Sequence, residues 1–443
     1  MALWHGAVSW LKAPVRSGGA APTDAGVLVA PEAGSWGSSR TGLFGVLAAF
    51  GPGLVAMLAD TDAGSLLTAA QSGSRWGDAL VLPELALIPV RYLLQEMTVR
   101  LGLVTGRGHG ELIREHFGAR WAVCSSITLL ASALGALLTE FVGVAAAAAL
   151  FGVLRLLSVP VAAAVLISLA FTGRYRRVER VALAFGLAEL LFVPALVLAR
   201  PHLSAIVSGL HTAPLGQRSY RYLLAANVGA VIMPWMIFYQ QGAVIQRGLR
   251  VRSLRAERLD TALGTIATQV VMVTVVLLAA ASLWHRGGGP SLSGVTQRAA
   301  ALHPELGPGS RFVIGAAVIG AAMVAAVVVS LAGSWGLAEA LGWRRNLNDR
   351  PERGSAPLYA TYVAAHLLGA GIVLSCTNLV QLAVGVEVMN AVLLPVVLGI
   401  LLALEARALP AAYRIHGAHR IVATCCCVAG MLFGLAVVPA LVL

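Results

Sequence analysis

Apolar windows of roughly 20 residues, the length that carries an α-helix across a bilayer, recur along nearly the whole chain after residue 41. Eleven can be marked: 42–76, 79–104, 120–150, 156–172, 178–199, 220–246, 260–284, 311–342, 359–376, 379–406 and 418–441. Two of them carry a defect in the middle. In the first, Leu58–Gln71 reads L-A-D-T-D-A-G-S-L-L-T-A-A-Q, which sets Asp60 and Asp62 where the midplane falls. A carboxylate there costs roughly 2.5–3.5 kcal/mol on insertion scales unless it faces a cavity or a partner. Ala63-Gly64-Ser65 is a poor helix interior, because Gly loses extra backbone entropy and Ser competes for backbone hydrogen bonds. In the sixth window, Pro234 removes an amide and collides with the carbonyl one turn back, and Gly229 loosens the preceding turn. Lipid cannot satisfy the carbonyls and amides that a broken helix frees, so both breaks must line a protein cavity.

The spacing of the breaks predicts the architecture. Each opens a group of five spans, 42–199 and 220–406, and an odd number of spans inverts the second group relative to the first. The expected fold is an all-α polytopic membrane protein with a LeuT-like 5+5 inverted repeat plus one extra helix, 418–441. It has about eleven transmembrane helices, with helices 1 and 6 unwound mid-membrane. Residues 1–40, rich in Gly, Ala, Ser and Pro, read as a disordered cytoplasmic tail without a signal-peptide core, and 41–443 as one transporter domain.

Composition fits this picture. The 443 residues are 58% hydrophobic and 12% charged, with mean hydropathy +0.81, outside the range of soluble domains. The net charge of +12 does not point to nucleic acid, because the Arg residues punctuate apolar spans. With the N-terminus inside, the inside segments carry 23 Arg and Lys and the outside ones 8, with Arg91 inside the second span. That asymmetry predicts a cytoplasmic N-terminus and an outside C-terminus in the plasma (inner) membrane. Cys124, Cys376 and Cys425–Cys427 lack metal-site spacing, and no nucleophile–base pair, phosphate loop or cofactor motif is present. An enzyme and a bound cofactor are therefore not expected.

Chemistry concentrates at the two breaks. Asp62 is the leading ligand for a cation, since an unwound helix supplies carbonyls beside its carboxylate. Ala59 and Ala230 offer carbonyls, Ser65 a hydroxyl, and Met233 a soft thioether that favours Mn²⁺ or Fe²⁺ over Mg²⁺ and Ca²⁺. Asp60 reads as a second ligand, a solvated vestibule residue or a proton carrier, with the vestibule role ranked first. Glu140, deep in the third span, suits a proton relay. Glu84, Glu189 and Glu387 rank lower. Gln240, Gln241 and Asn390 read as polar links between helices, and His366 as a packed histidine.

These residues resemble the natural resistance-associated macrophage protein family of divalent-metal transporters. The family's D-P-G-N followed by T-x-x-Q-x-G is met by Asp62-Ala63-Gly64-Ser65, then Thr68, Gln71 and Gly73. Its L-L-Q and R-L-G-x-V-T-G are met by Leu93-Leu94-Gln95 and Arg100–Gly106, its A-x-x-M-P-H by Ala230, Met233 and Pro234, and its E-F-x-G by Glu140-Phe141 and Gly143. The resemblance implies metal ligation by Asp62, Ser65, Met233 and the carbonyls of Ala59 and Ala230. Four departures stand out: Ala63 replaces Pro, Ser65 replaces Asn, Trp235 stands where the family has His, and Leu137 replaces an acidic residue one turn before Glu140. The last two belong to the family's proton-handling set. The expected activity is secondary transport of Mn²⁺ or Fe²⁺ into the cytoplasm, with protons as the second partner and the lipid bilayer as the medium. Uncoupled Mg²⁺ uptake is the close alternative. An amino-acid or organic-cation symporter on the same fold, or a non-transporting scaffold, ranks lower. Oligomeric state is not specified by the residues.

Overall fold

The computed structural model describes residues 59–171, 191–199, 213–285, 310–342 and 356–442. The tail expected over 1–40 and Glu189 lie outside the described residues. Among the described residues there is no strand. Thirteen α-helices run in order: α1 (Ala63–Trp76), α2 (Val81–Thr105), α3 (His109–Phe117), α4 (Ala119–Ala149), α5 (Arg155–Ala170), α6 (Phe192–Ala199), α7 (Arg218–Val231), α8 (Pro234–Gln246), α9 (Leu254–Ala279), α10 (Ser310–Leu341), α11 (Ala356–Ser375), α12 (Leu379–Arg407) and α13 (Gly417–Val442). Seven segments among the described residues are long and apolar enough to cross a membrane, the α7–α8 pair counting as one, and α5 is a shorter apolar helix.

Both predicted interruptions are present. Ala59 and Asp60 are helical, Thr61 and Asp62 are not, and α1 restarts at Ala63. Asp62 caps α1 with extended backbone and accepts the Ser65 amide, the usual way to satisfy one orphan donor of a helix start. In the second break Ile232 and Met233 leave the helix, and α8 begins at Pro234. Pro at the first helical position is favoured there, because its missing N–H would have no partner anyway.

Small residues let the helices close around these breaks. A side chain at Gly229 would fall on the Glu387 carbonyl, one at Gly143 on the Ala63 methyl, and one at Gly73 on the Val276 carbonyl. α4 packs most extensively on α10, α7 on α12, and α9 on both α1 and α2. With a core of Ala, Val and Leu and no hydrophobic driving force in lipid, close backbone approach supplies the packing energy. The apolar side chains left exposed on α5 and α13, such as Leu156, Leu157, Leu432 and Leu435, fit lipid-facing surfaces.

The polar links read from sequence join helices. Gln240 donates to Thr261 at 3.1 Å, tying α8 to α9. Ser132 donates to Asn390 at 2.8 Å, tying α4 to α12. His366 is packed, its Nδ1 on the Tyr362 carbonyl at 2.8 Å. At the end of the bundle holding α3, Glu96 bonds Arg258 at 2.8 Å and pairs with Arg100 at 3.1 Å. Arg100 reaches Glu405 at 3.5 Å, so α2, α9 and α12 share one charged cluster.

Gly229→Val should lower the detergent melting temperature by the equivalent of about 1–3 kcal/mol of overpacking. Gly371, which has open space at its Cβ position, should tolerate Ala without loss. Equal melting of the two variants would contradict the α7–α12 contact.

Candidate functional site

The two breaks meet. Asp62 Oδ1 accepts the Ser65 amide at 2.6 Å. The Ser65 hydroxyl lies 3.2 Å from the Asp60 carbonyl and 3.2 Å from the Ala230 carbonyl, the latter in α7. One serine therefore bridges the first broken helix to the second. Ala59, Asp62, Ser65, Ala230 and Met233 are all buried. Asp62 Oδ2 is buried and makes no hydrogen bond. An anionic oxygen without a donor, in a site that excludes water, is costly unless a cation meets it. Among the described residues no three His, Cys, Asp or Glu side chains are placed to cage a metal. What the breaks offer is one carboxylate, one hydroxyl, carbonyls and one sulfur, a mixed set suited to an ion that must also leave.

Glu140 comes to the same turn. It accepts the Ala63 amide at 3.3 Å, and its own helix, α4, approaches there because Gly143 has no side chain to strike Ala63. Trp235, standing where the sequence pattern suggested His, is fully buried and its indole N–H donates to the Met233 sulfur at 2.9 Å. A histidine there could titrate; an indole only donates. The contact also occupies part of the sulfur's electron density.

Asp60 departs from the vestibule role expected of it. It forms a buried ion pair with Arg91, Nη2 to Oδ2 at 2.5 Å, and Arg91 also donates to Thr268 at 2.6 Å. The sequence placed Arg91 inside a span but gave it no partner; the structure folds α2 against the first break, so two intramembrane charges neutralise each other.

Glu387 is the residue that sequence reading ranked too low. It is buried, with Oε2 accepting from Asn390 at 3.1 Å and Oε1 unbonded. A Cβ on Gly64 would fall on that Oε1, so the carboxyl lies directly against the first turn of α1. The signal available was a glutamate within an apolar run, the same signal that singled out Glu140. Glu84 is buried against α9, where Gln269 donates to its carbonyl at 2.8 Å and to its carboxylate.

A family model described as natural resistance-associated macrophage protein-like matches residues 53–439. The chain belongs to that family, abbreviated NRAMP. Its relatives include a divalent metal cation transporter, MntH, of Pectobacterium carotovorum subsp. carotovorum, 28% identical over 305 residues, spanning 67% of this chain and 73% of that protein. MntH 1 of Pseudomonas aeruginosa is 29% identical over 301 residues, 64% of this chain and 67% of the relative. Among solved structures, the Eremococcus coleocola manganese transporter bound to an aromatic bis-isothiourea compound superposes with a TM-score of 0.72 at 18% identity, covering 89% of this chain and 86% of that one. MhsT in complex with L-phenylalanine superposes at 0.59 and 15% identity, covering 88% and 97%. The NRAMP chain therefore has the LeuT-like fold, and that fold, shared with an amino-acid-bound protein, does not by itself choose the substrate.

Two variants test the electrostatics around the site. Arg91→Met strands Asp60 and should destabilise the protein by about 3–5 kcal/mol, whereas Asp60→Asn combined with Arg91→Met should recover most of the loss. A double variant as unstable as the single one in detergent thermal unfolding would deny the pair. On the short α3, His109 is buried against Phe238 and bonds Gln241 at 2.9 Å; burial pushes its pKa down to about 4. The unfolded chain then binds more protons than the folded one between about pH 6.5 and 4, so His109 lowers stability as pH falls through that window. His109→Gln should flatten this part of the stability profile.

Proposed function

We propose that this NRAMP protein is a secondary transporter that carries divalent metal ions, Mn²⁺ or Fe²⁺ ahead of Mg²⁺, across the plasma membrane into the cytoplasm. The observation that carries the proposal is the unpaired, buried Asp62 oxygen at the point where both broken helices converge. Membership of a family whose relatives are named divalent metal cation transporters supports the substrate class. The manganese transporter of the same fold supports Mn²⁺ within it.

Asp62 supplies the charge. Ser65 and the carbonyls of Ala59 and Ala230 supply neutral oxygens, and Met233 the soft donor that discriminates transition ions from Mg²⁺. Glu140, held by the Ala63 amide beside Asp62, is the group to take a proton when the ion leaves, which couples metal and proton movement. Alternating access then comes from rocking one five-helix repeat against the other around the fixed site. The excess of Arg and Lys on the N-terminal side supports a cytoplasmic N-terminus. The Trp235–Met233 contact favours a second reading, Mg²⁺ uptake without protons, because it weakens the soft donor and removes a titrating ring.

Purified protein in liposomes, loaded with a pH dye and assayed for Mn²⁺ and Mg²⁺ uptake, distinguishes these. Asp62→Ala should lower Mn²⁺ uptake by at least about 10–100-fold, the loss that follows removal even of a ligand's hydrogen-bonding partner. Met233→Ala should erase the preference for Mn²⁺ over Mg²⁺. Glu140→Gln should uncouple acidification from metal entry. Mn²⁺ uptake that survives Asp62→Ala rejects the site, and a dye that stays silent in the wild type assigns the uncoupled reading.

A further inference from the structure

A second cavity lies away from the breaks. It measures about 1470 Å³ and opens between the end of α1, the starts of α5, α7 and α12, and the end of α13. Four arginines line it: Arg75, Arg155, Arg218 and Arg221. No Asp or Glu is among the described residues that line it. The Arg and Lys distribution leaves only eight basic residues on this face of the membrane, and half of them converge on this one cavity. The positive-inside rule explains why this face has few cations; it does not explain why those few are gathered.

Their placement is electrostatically adverse. Arg155 opens α5, and Arg218 and Arg221 stand in the first turn of α7. Neither helix has an acidic residue in that turn, and neither has a side-chain cap. Helix starts are positive and favour carboxylates; cations there oppose the backbone dipole. Two of the four reach neutral carbonyls: Arg155 donates to that of Cys376 at 2.8 Å, and Arg221 to those of Leu215 at 3.1 Å and Gly216 at 3.3 Å; Arg218 has a partner of its own. The free amides of helix starts and the forked guanidinium groups are the donors that recognise phosphate and carboxylate. The rest of the lining mixes the amides of Gln71 and Gln217 with apolar Phe433 and Val437, so a ligand with a carbon body fits as well as a bare ion.

We propose that this cavity binds a multivalent oxyanion of the carboxylate or phosphate class, bridging Arg75 of α1 to Arg155 and Arg221. For a carrier of divalent cations, positive charges gathered on one face repel the substrate; a bound oxyanion offsets them and links α1, α5 and α7. The binding does not rest on the transport reading, because it is measured on metal-free protein.

The test uses the full chain in phosphatidylcholine nanodiscs, in buffer stripped of metal over a chelating resin and free of soluble chelator, titrated calorimetrically with citrate and with inorganic phosphate at two salt concentrations. We expect saturable binding of one equivalent that weakens as salt rises. Arg75→Gln combined with Arg221→Gln should raise the Kd at least ten-fold. Both side chains are exposed, so the variant should remain monodisperse, and each single change should give an intermediate Kd. Arg107→Gln, at an exposed arginine paired with Glu115 in another part of the protein, should leave the Kd unchanged. Repeating the titration in nanodiscs containing phosphatidylglycerol separates the sources. Loss of citrate binding there identifies a lipid phosphate as the occupant, and unchanged binding identifies a soluble anion. Absence of saturable binding by citrate, phosphate and phosphatidylglycerol, or an unchanged Kd in the double variant, overturns the proposal.

Discussion

A helix may be interrupted inside a membrane only if the groups it frees are satisfied within the protein. In this chain one short side chain meets much of that demand. Ser65 gives its amide to Asp62 and its hydroxyl to the carbonyls of both broken helices. The remaining demand falls on the Ala63 amide, which Glu140 accepts. The same residues that repair the backbone are thus the ones left facing the gap. A site of this kind is a consequence of the repair, and its chemistry is set by the oxygens that remain unsatisfied, among them one each of Asp60, Thr61, Asp62 and Glu387.

Charge is handled around this centre by pairing rather than exposure. Asp60, two residues before Asp62, is cancelled by Arg91, whereas Asp62 has no arginine beside it. Two carboxylates so close in sequence therefore stand in different surroundings, one holding α2 to the first break and the other with one oxygen unbonded. Glycine makes the arrangement possible. Gly64, Gly143 and Gly229 each sit where a methyl group would strike Glu387 or Ala63, so α4, α7 and α12 reach the breaks at backbone distance.

The departures from the family pattern form a coherent group. Ser65 is shorter than Asn, and a hydroxyl is a weaker oxygen donor than an amide carbonyl. Trp235 cannot exchange a proton at neutral pH, and its N–H rests on the Met233 sulfur. Glu387 places a further acid against the first turn of α1.

The sequence by itself determined both breaks and the apolar spans found among the described residues. These depend on local terms: apolar length, a proline without an amide, and carboxylates too costly to leave in lipid. Asp62, Ser65, Ala230, Met233 and Glu140 were legible for the same reason, because each lies in or beside a visible defect. The partner of Arg91, the nearness of Glu387 to Gly64, the Trp235–sulfur contact and the gathering of four arginines in one cavity were not. Each joins residues well separated in the chain, or, for Trp235, depends on a rotamer fixed by its neighbours. Such contacts arise from how closely whole helices approach, and that distance is set by packing on every face at once, which no single stretch of sequence encodes.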